Sequence, residues 1–199
     1  MIRLWVIVIG AVAFMTFALA MLVIVPKAML GEVRAPDGLV PYSEAALRGR
    51  AVYVANGCIY CHSQQVRDAS FTNDERRGWG RPSLPADYFY DNPHLLGTSR
   101  TGPDLFNVGV RLPDINWHLL HLYQPRAVAP WSIMPAFGYL FAVKDTPLPG
   151  DRVIAVPANY RTVGKVVVAK SAAIDLASYL IGLRHTYQVP ASANESHGH

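Results

Sequence analysis

The chain has 199 residues, of which 51% are hydrophobic and 16% are charged, with two cysteines and a formal net charge of +4. This composition excludes a chain that is a disordered tail over its whole length, and it excludes a small domain held together by disulfides. The 18 Lys and Arg residues only slightly outnumber the 14 Asp and Glu residues, and they are scattered rather than clustered. A nucleic-acid partner is therefore not expected.

The first apolar run predicts a membrane anchor that contacts lipid. Residues 4–25 form 22 uncharged positions, and at about 1.5 Å per residue they span roughly 33 Å, enough to cross a hydrocarbon core. A cleaved signal peptide is the alternative, because residues 18–20 read Ala-Leu-Ala, but the apolar run continues past them. The flanking charges, Arg3 on one side and Lys27 and Arg34 on the other, leave the orientation open.

The composition becomes mixed and rich in proline and glycine after the anchor, which predicts the domain organisation. We expect a transmembrane anchor at 1–30, a linker at 31–41, one domain at 42–187 and a flexible polar tail at 188–199. About 145 residues are enough for one small domain with its own core.

The domain is expected to begin with a helix. Ser43 is a suitable N-cap, and Leu47, Ala51 and Val54 recur at helical spacing until Gly57. This spacing is typical of a helix.

Two more helices and a hairpin are predicted further along the chain. One helix covers about 114–123 before Pro125, and a later one has Ser171 as its cap. The apolar stripe of the later helix is predicted to contain Ile174, Ala177, Leu180 and Ile181. Two valine-rich runs, 153–156 and 166–168, predict a β-hairpin within an insertion at 142–170.

The motif Cys-Ile-Tyr-Cys-His at 58–62 indicates a covalent haem. Two thiols at this spacing each add across one vinyl group, and the adjacent histidine reaches the iron. A thioredoxin-like redox pair would need a preceding strand, whereas a helix is predicted there. A zinc site would need two more ligands, and the pair His118 and His121 starts 57 residues beyond Cys61. Haem attachment is the favoured interpretation.

A second axial ligand is expected on the opposite face of the iron, and methionine is common where a high potential is needed. The chain has five methionines, Met1, Met15, Met21, Met29 and Met134. Only Met134 lies beyond the anchor and its flank, in a proline-bounded loop. A core role for Met134 and ligation by His94 are the alternatives, while His118 and His121 are expected to donate to a propionate or a backbone carbonyl.

These motifs, in this order, resemble the monohaem cytochrome c subunit of cbb3-type cytochrome c oxidases, the C-family haem-copper oxidases. The resemblance covers about 41–137 and rests on the run 57–64 with Arg67, on Arg-Thr-Gly-Pro-Asp-Leu at 100–105, and on a third group of residues. That group is Trp117, His118, His121, Leu122, Pro125, Arg126, Val128, Ser132 and 134–136. The segment 142–170 and the anchor carry no motif of that family that we identify.

The resemblance implies a mainly α protein with one N-terminal transmembrane helix and a class I cytochrome c-like domain with long loops, to which the hairpin is an addition. It implies that Cys58 and Cys61 hold one haem c, with His62 and Met134 as axial ligands. Pro103 would offer its carbonyl to the other ring nitrogen of His62. It also implies that the first helix packs on the last one, with Gly49 and Tyr53 near Tyr179 and Leu180. A calcium ion near the subunit interface is known in that family, and Thr98 is the nearest match to its hydroxyl ligand.

The function that the resemblance implies is electron relay from a periplasmic donor to the catalytic subunit, which holds haem b and copper. The donor would be another cytochrome c subunit or a soluble cytochrome. Because cytochromes c mature outside the bacterial cytoplasmic membrane, we expect a cytoplasmic amino terminus and a periplasmic domain. Alternatives are a subunit of a nitric oxide reductase, a tethered electron shuttle, and a peroxidase or gas sensor with an open iron position.

Charged residues near the haem motif are expected to form a solvated face, with docking of a donor cytochrome as the alternative. These residues are Arg67, Asp68, Asp74, Glu75, Arg76 and Arg77.

Overall fold

A computed structural model describes residues 2–31 and 33–189 of the chain, so most of the predicted tail lies outside the described residues. The helices are α1 Ile2–Leu19, α2 Val25–Gly31, α3 Glu44–Ala55, α4 Val108–Arg111, α5 Ile115–Tyr123 and α6 Ser171–Gly182, and the strands are β1 Phe141–Lys144, β2 Arg152–Ile154 and β3 Val166–Ala169. Long loops and short 3₁₀ turns connect these elements. The predicted fold class, mainly α with one apolar N-terminal helix and a small β element, is confirmed.

The apolar N-terminal helix is continuous over Arg3–Gly31, 29 residues, and is long and apolar enough to cross a bilayer. Between α1 and α2 the segment Ala20–Ile24 is π-helical. The Val25 amide donates to the Ala20 carbonyl, five residues back. Pro26 follows directly and has no amide hydrogen to donate to the carbonyl four residues before it. The π-helical turn therefore lies just before the residue that interrupts the α-helical hydrogen bonds.

Helices α3 and α6 pack closely at Gly49. A Cβ at Gly49 would overlap the Asp175 backbone carbonyl oxygen of α6. Next to this contact the Tyr53 and Tyr179 rings lie edge to face, 5.5 Å apart. The helix–helix contact predicted at Gly49 and Tyr53 is therefore present.

The buried face of α3 is not the one that carries its apolar stripe. Ser43 caps the helix as expected, because its side chain accepts from the Ala46 amide. However, the buried residues of α3 are Ala46, Gly49 and Tyr53, whereas Leu47 and Val54 are 51% and 47% exposed and Ala51 is exposed too. α6 packs on the face of α3 that contains Gly49, because only glycine leaves room for the facing backbone.

Two details of α6 also differ from the prediction. Ser171 is the first helical residue and Lys170 is the cap. The buried side chains of α6 are Ala173, Leu176, Ala177, Tyr179 and Leu180. Ile174 and Ile181 are only partly buried, so the inward stripe is shifted by one residue from the predicted one.

The predicted hairpin is part of a three-stranded antiparallel sheet with order β1-β3-β2. β3 is central, with Val167 opposite Val143 of β1 and Ile154 of β2. β1 was not predicted, because its run of four residues, Phe-Ala-Val-Lys, is short and lacks the repeated valines of the other two runs. Phe141, Ile154 and Val167 are buried in the main hydrophobic cluster, so the sheet belongs to the core of the domain.

The prediction of a wholly solvated charged face near the haem motif is wrong for Asp74. Its side chain is buried, accepts from the Arg67 amide at 2.9 Å, and pairs with Arg100. Arg77 lies over the Trp79 ring at 5.0 Å. Asp68, Glu75 and Arg76 are exposed. Asp74 therefore organises the loop, because a buried carboxylate requires paired donors.

Stability is expected to depend strongly on Gly49. Gly49→Ala should lower the free energy of unfolding by about 2 kcal/mol or more, because backbone on α6 cannot yield to the added methyl group. The matched control is Gly182→Ala, also in a helix, where a Cβ would meet nothing within 4 Å, and alanine there should be neutral or gain up to about 1 kcal/mol. Denaturant unfolding of the full-length protein followed by circular dichroism measures both. Equal effects would contradict the close packing of α3 on α6.

Candidate haem site

The predicted haem motif forms a single tight turn after α3. Gly57 adopts the left-handed conformation with φ +66° and ends the helix. Cys58–Tyr60 is a 3₁₀ turn, and the Cys58 carbonyl accepts from the amides of Cys61 and His62 at 3.1 and 2.9 Å. The backbone thus brings both thiols and the imidazole onto one turn of chain.

Both cysteine thiols are free in this structure. Cys58 is half-buried and Cys61 is exposed. Burial raises the pKa of Cys58 to about 11, so the group is a protonated thiol at neutral pH. A pair of this kind is available for thioether formation and is not part of a disulfide.

The His62 ring is oriented by the backbone of Pro103. His62 Nδ1 lies 2.7 Å from the Pro103 carbonyl oxygen. Since a carbonyl only accepts, Nδ1 carries the proton and Nε2 keeps its lone pair for a metal. Burial lowers the pKa of His62, and the hydrogen bond to Pro103 partly opposes this. The neutral form is the one that ligates iron.

Two glycines make the space that the motif occupies. A Cβ at Gly102 would overlap His62 Cε1, and a Cβ at Gly97 would come within 2.7 Å of the His62 carbonyl oxygen. The loop that carries Pro103 therefore lies directly against the imidazole, and a larger side chain at Gly102 would displace the ring.

Met134 and His94, the two predicted rivals for the distal position, lie in different surroundings. Met134 is half-buried and packs against the main hydrophobic cluster, as Cys58 and Ile59 do. His94 is exposed and meets the Tyr88 ring edge-on at 6.0 Å. Tyr88 belongs to the second hydrophobic cluster. Met134 thus shares the main hydrophobic cluster with Cys58 and Ile59, which fits both ligation and the core role that the sequence left open.

The two histidines of α5 have different environments. His118 Nε2 lies 2.8 Å from the Leu112 carbonyl oxygen, so His118 is held by the backbone. His121 stacks on Trp117, with ring centroids 4.8 Å apart. Its Nδ1 is buried and has no hydrogen-bond partner among the described residues. Burial, with His62 and His118 nearby, lowers the pKa of His121 to about 4.

These residues fit a haem. Imidazole and thioether are the usual axial pair of cytochromes c, and the two thiols match the two vinyl groups. The unpartnered Nδ1 of His121 is a buried polar atom close enough to influence His62, and a buried polar atom without a partner is costly. A haem carboxylate would satisfy this atom by accepting a hydrogen bond from His121 Nδ1–H.

A zinc site, the alternative for the same cysteines, gains no support. Within residues 2–31 and 33–189, no group of three or more His, Cys, Asp and Glu side chains is arranged to hold a metal ion. Thr98, the candidate calcium ligand, is exposed.

The sequence analysis assigned no role to Asp104 and Arg100. Asp104 is fully buried and accepts from Ser63 Oγ at 2.6 Å, while Arg100 Nε donates to the same hydroxyl at 3.1 Å. Both residues stand within the Arg-Thr-Gly-Pro-Asp-Leu run. The available signal was an aspartate directly after the proline that contacts His62. Which segment the aspartate bridges depends on tertiary structure.

One comparison with known proteins identifies relatives of the chain. A family model described as cytochrome c oxidase, mono-heme subunit/FixO, matches residues 2–160. The match includes the apolar N-terminal helix and extends through β1 and β2, beyond the motifs at 41–137 that carry the resemblance. A search of curated proteins found no significant match.

Proposed function

The chain belongs to the FixO family of mono-haem subunits of cytochrome c oxidase, and from this we propose that it relays electrons to the catalytic subunit of a cbb3-type oxidase. The family assigns it to the oxidase and implies a haem c and a catalytic partner subunit. The relay role, the ligands and the topology are our inferences from its residues. The observation that carries the haem site, on which the relay depends, is the His62–Pro103 hydrogen bond beside two free thiols.

Cys58 and Cys61 would hold the haem covalently, with His62 and Met134 as its axial ligands. When bound, the haem supplies reversible one-electron chemistry at iron. Pro103 keeps the His62 ring in one orientation and increases its basicity by accepting from Nδ1. Covalent anchoring and a packed loop keep the ligands in place when the charge of the site changes.

The chain's own residues favour relay over catalysis. Met134 and His62 would occupy both axial positions and exclude oxygen from the iron. A peroxidase or gas sensor would instead need one open position. Oxygen reduction is therefore assigned to the partner subunit with haem b and copper.

The membrane topology follows from the site of haem attachment. We propose that the helix Arg3–Gly31 crosses the cytoplasmic membrane once, with the amino terminus in the cytoplasm and the haem domain in the periplasm. A second cytochrome c subunit or a soluble cytochrome would donate the electron. An interface calcium ion at Thr98 stays a prediction from the family resemblance.

The test is purification of the intact complex in mild detergent, followed by metal and haem analysis. Copper, b-type haem and c-type haem in one particle, with oxygen uptake that stops when Met134 is replaced by a residue that cannot bind iron, is the expected result. Non-haem iron in place of copper would indicate nitric oxide reduction. A lone c-type haem protein would indicate a tethered shuttle, and either result would overturn the proposed relay in an oxygen reductase.

A further inference from the structure

Two segments of the chain lie side by side at the haem site. The Gly102 amide donates to the Cys61 carbonyl and the Leu105 amide to the Ser63 carbonyl, both at 2.8 Å. The His62–Pro103 hydrogen bond at 2.7 Å lies between them. The position of the imidazole therefore depends on how residues 102–106 are held against residues 61–65.

The carboxylate of Asp104 connects these two segments. Its Oδ2 accepts from Ser63 Oγ at 2.6 Å and from the Gln65 amide at 2.8 Å. Its Oδ1 accepts from the Phe106 amide at 2.8 Å, within its own loop. Asp104 is 0% exposed, so these contacts compete with little water and are stronger than their surface equivalents.

The two arginines near Asp104 bond mainly to groups other than its carboxylate. Arg100 lies 3.9 Å from Asp104 Oδ2, but it makes a shorter ion pair with Asp74 and also donates to the Gln65 carbonyl. Arg111 donates to the backbone carbonyl of Asp104 rather than to its carboxylate. The carboxylate of Asp104 thus lies in a poorly solvated place, next to the residue that follows His62.

We propose that Asp104 is a positioning residue of the haem site, which holds His62 against Pro103 and whose buried charge stabilises the oxidised haem. The proposal rests on the proposed function, because it assumes iron at His62. A fixed negative charge favours the more positive ferric state, so its removal raises the reduction potential. A merely structural residue would alter stability without this shift.

The test compares Asp104→Asn with a matched control in the purified, haem-loaded complex. Asparagine keeps the size of the side chain and one acceptor oxygen but removes the charge. We expect a roughly tenfold higher ratio of reduced to oxidised haem c at a fixed ambient potential, which corresponds to about 59 mV for one electron. An equilibrium redox titration measures this ratio.

The control is Asp87→Asn. Asp87 is also buried and bonded, to Arg81 at 2.6 Å and to the Leu84 amide at 2.7 Å, but it contacts neither His62 nor Ser63 among the described residues. We expect Asp87→Asn to lower stability and to leave the ratio within twofold of the wild type. An equal shift in both variants, or none in Asp104→Asn, would overturn the proposal.

A second variant keeps the proposal testable where Asp104→Asn does not fold. Ser63→Ala removes one bond to the carboxylate but keeps its charge. The electron paramagnetic resonance spectrum of ferric haem depends on ligand orientation, and we expect it to shift or broaden in this variant. An unchanged spectrum would exclude the positioning role. Absence of c-type haem from the wild-type chain would refute the haem site itself, whereas haem with unaltered properties in the variants refutes only the role of Asp104.

Discussion

Replacing Met134 by histidine is expected to lower the reduction potential of the haem on the order of 0.2 V, within the range of about 0.8 V over which axial ligands set it. A thioether favours Fe(II), whereas a second imidazole donates more strongly and favours Fe(III). The driving force for reduction by the donor would fall accordingly, so oxygen uptake by the complex should also slow. Met134 is half-buried on the apolar cluster that Cys58 also contacts, so a ligand change there does not unfold the core.

The measurement is a redox titration of the c-type haem in the purified complex. The control is His94→Ala, because His94 is the rival ligand and is exposed. His94→Ala should keep the wild-type potential and the long-wavelength absorption band of methionine-ligated ferric haem. Absence of that band from the wild type, together with a changed potential in His94→Ala and an unchanged one in Met134→His, would transfer the distal role to His94.

The second large effect is expected at the two cysteines. The double variant Cys58→Ser, Cys61→Ser should lose all haem from the chain under denaturing conditions, because no thioether can form. Each single variant should retain haem through one thioether, with an absorption maximum shifted as expected for one remaining vinyl group. Cys58 is half-buried and Cys61 exposed, so serine at either position leaves the core intact.

Haem staining after denaturing electrophoresis, beside the intact mass of the chain, distinguishes these cases. The matched control is Ser63→Ala, which changes the residue directly after the Cys-x-x-Cys-His motif and keeps both thiols. Covalent haem on the double variant would show that another residue attaches it.

The parts of the fold that were predicted correctly depend on local chemistry. Ser43 caps α3 as predicted, since its side chain accepts from the backbone amide three residues on. The Cys-x-x-Cys-His spacing likewise fixes its own turn. Each of these signals is contained within a few residues, so the sequence alone is sufficient.

The parts that were missed depend on distant packing. The inward face of α3 is decided at Gly49 by the backbone of α6, more than a hundred residues away. Asp74 was expected to be exposed to solvent, but it is buried in an ion pair with Arg100. β1 is a strand because β3 pairs with it. At the site, the motifs predicted which residues carry the chemistry, whereas the bridging role of Asp104 follows only from the contact between two loops.

The most direct test of electron relay is the reaction of the fully reduced complex with oxygen, started by photolysis of bound carbon monoxide and followed by time-resolved absorbance. We expect the c-type haem of this chain to be oxidised within the same turnover in which the catalytic subunit reduces oxygen. In Met134→His, the lower reduction potential should change how much of the c-type haem is oxidised and how fast. A c-type haem that stays reduced on this chain while oxygen is consumed would contradict the proposed relay.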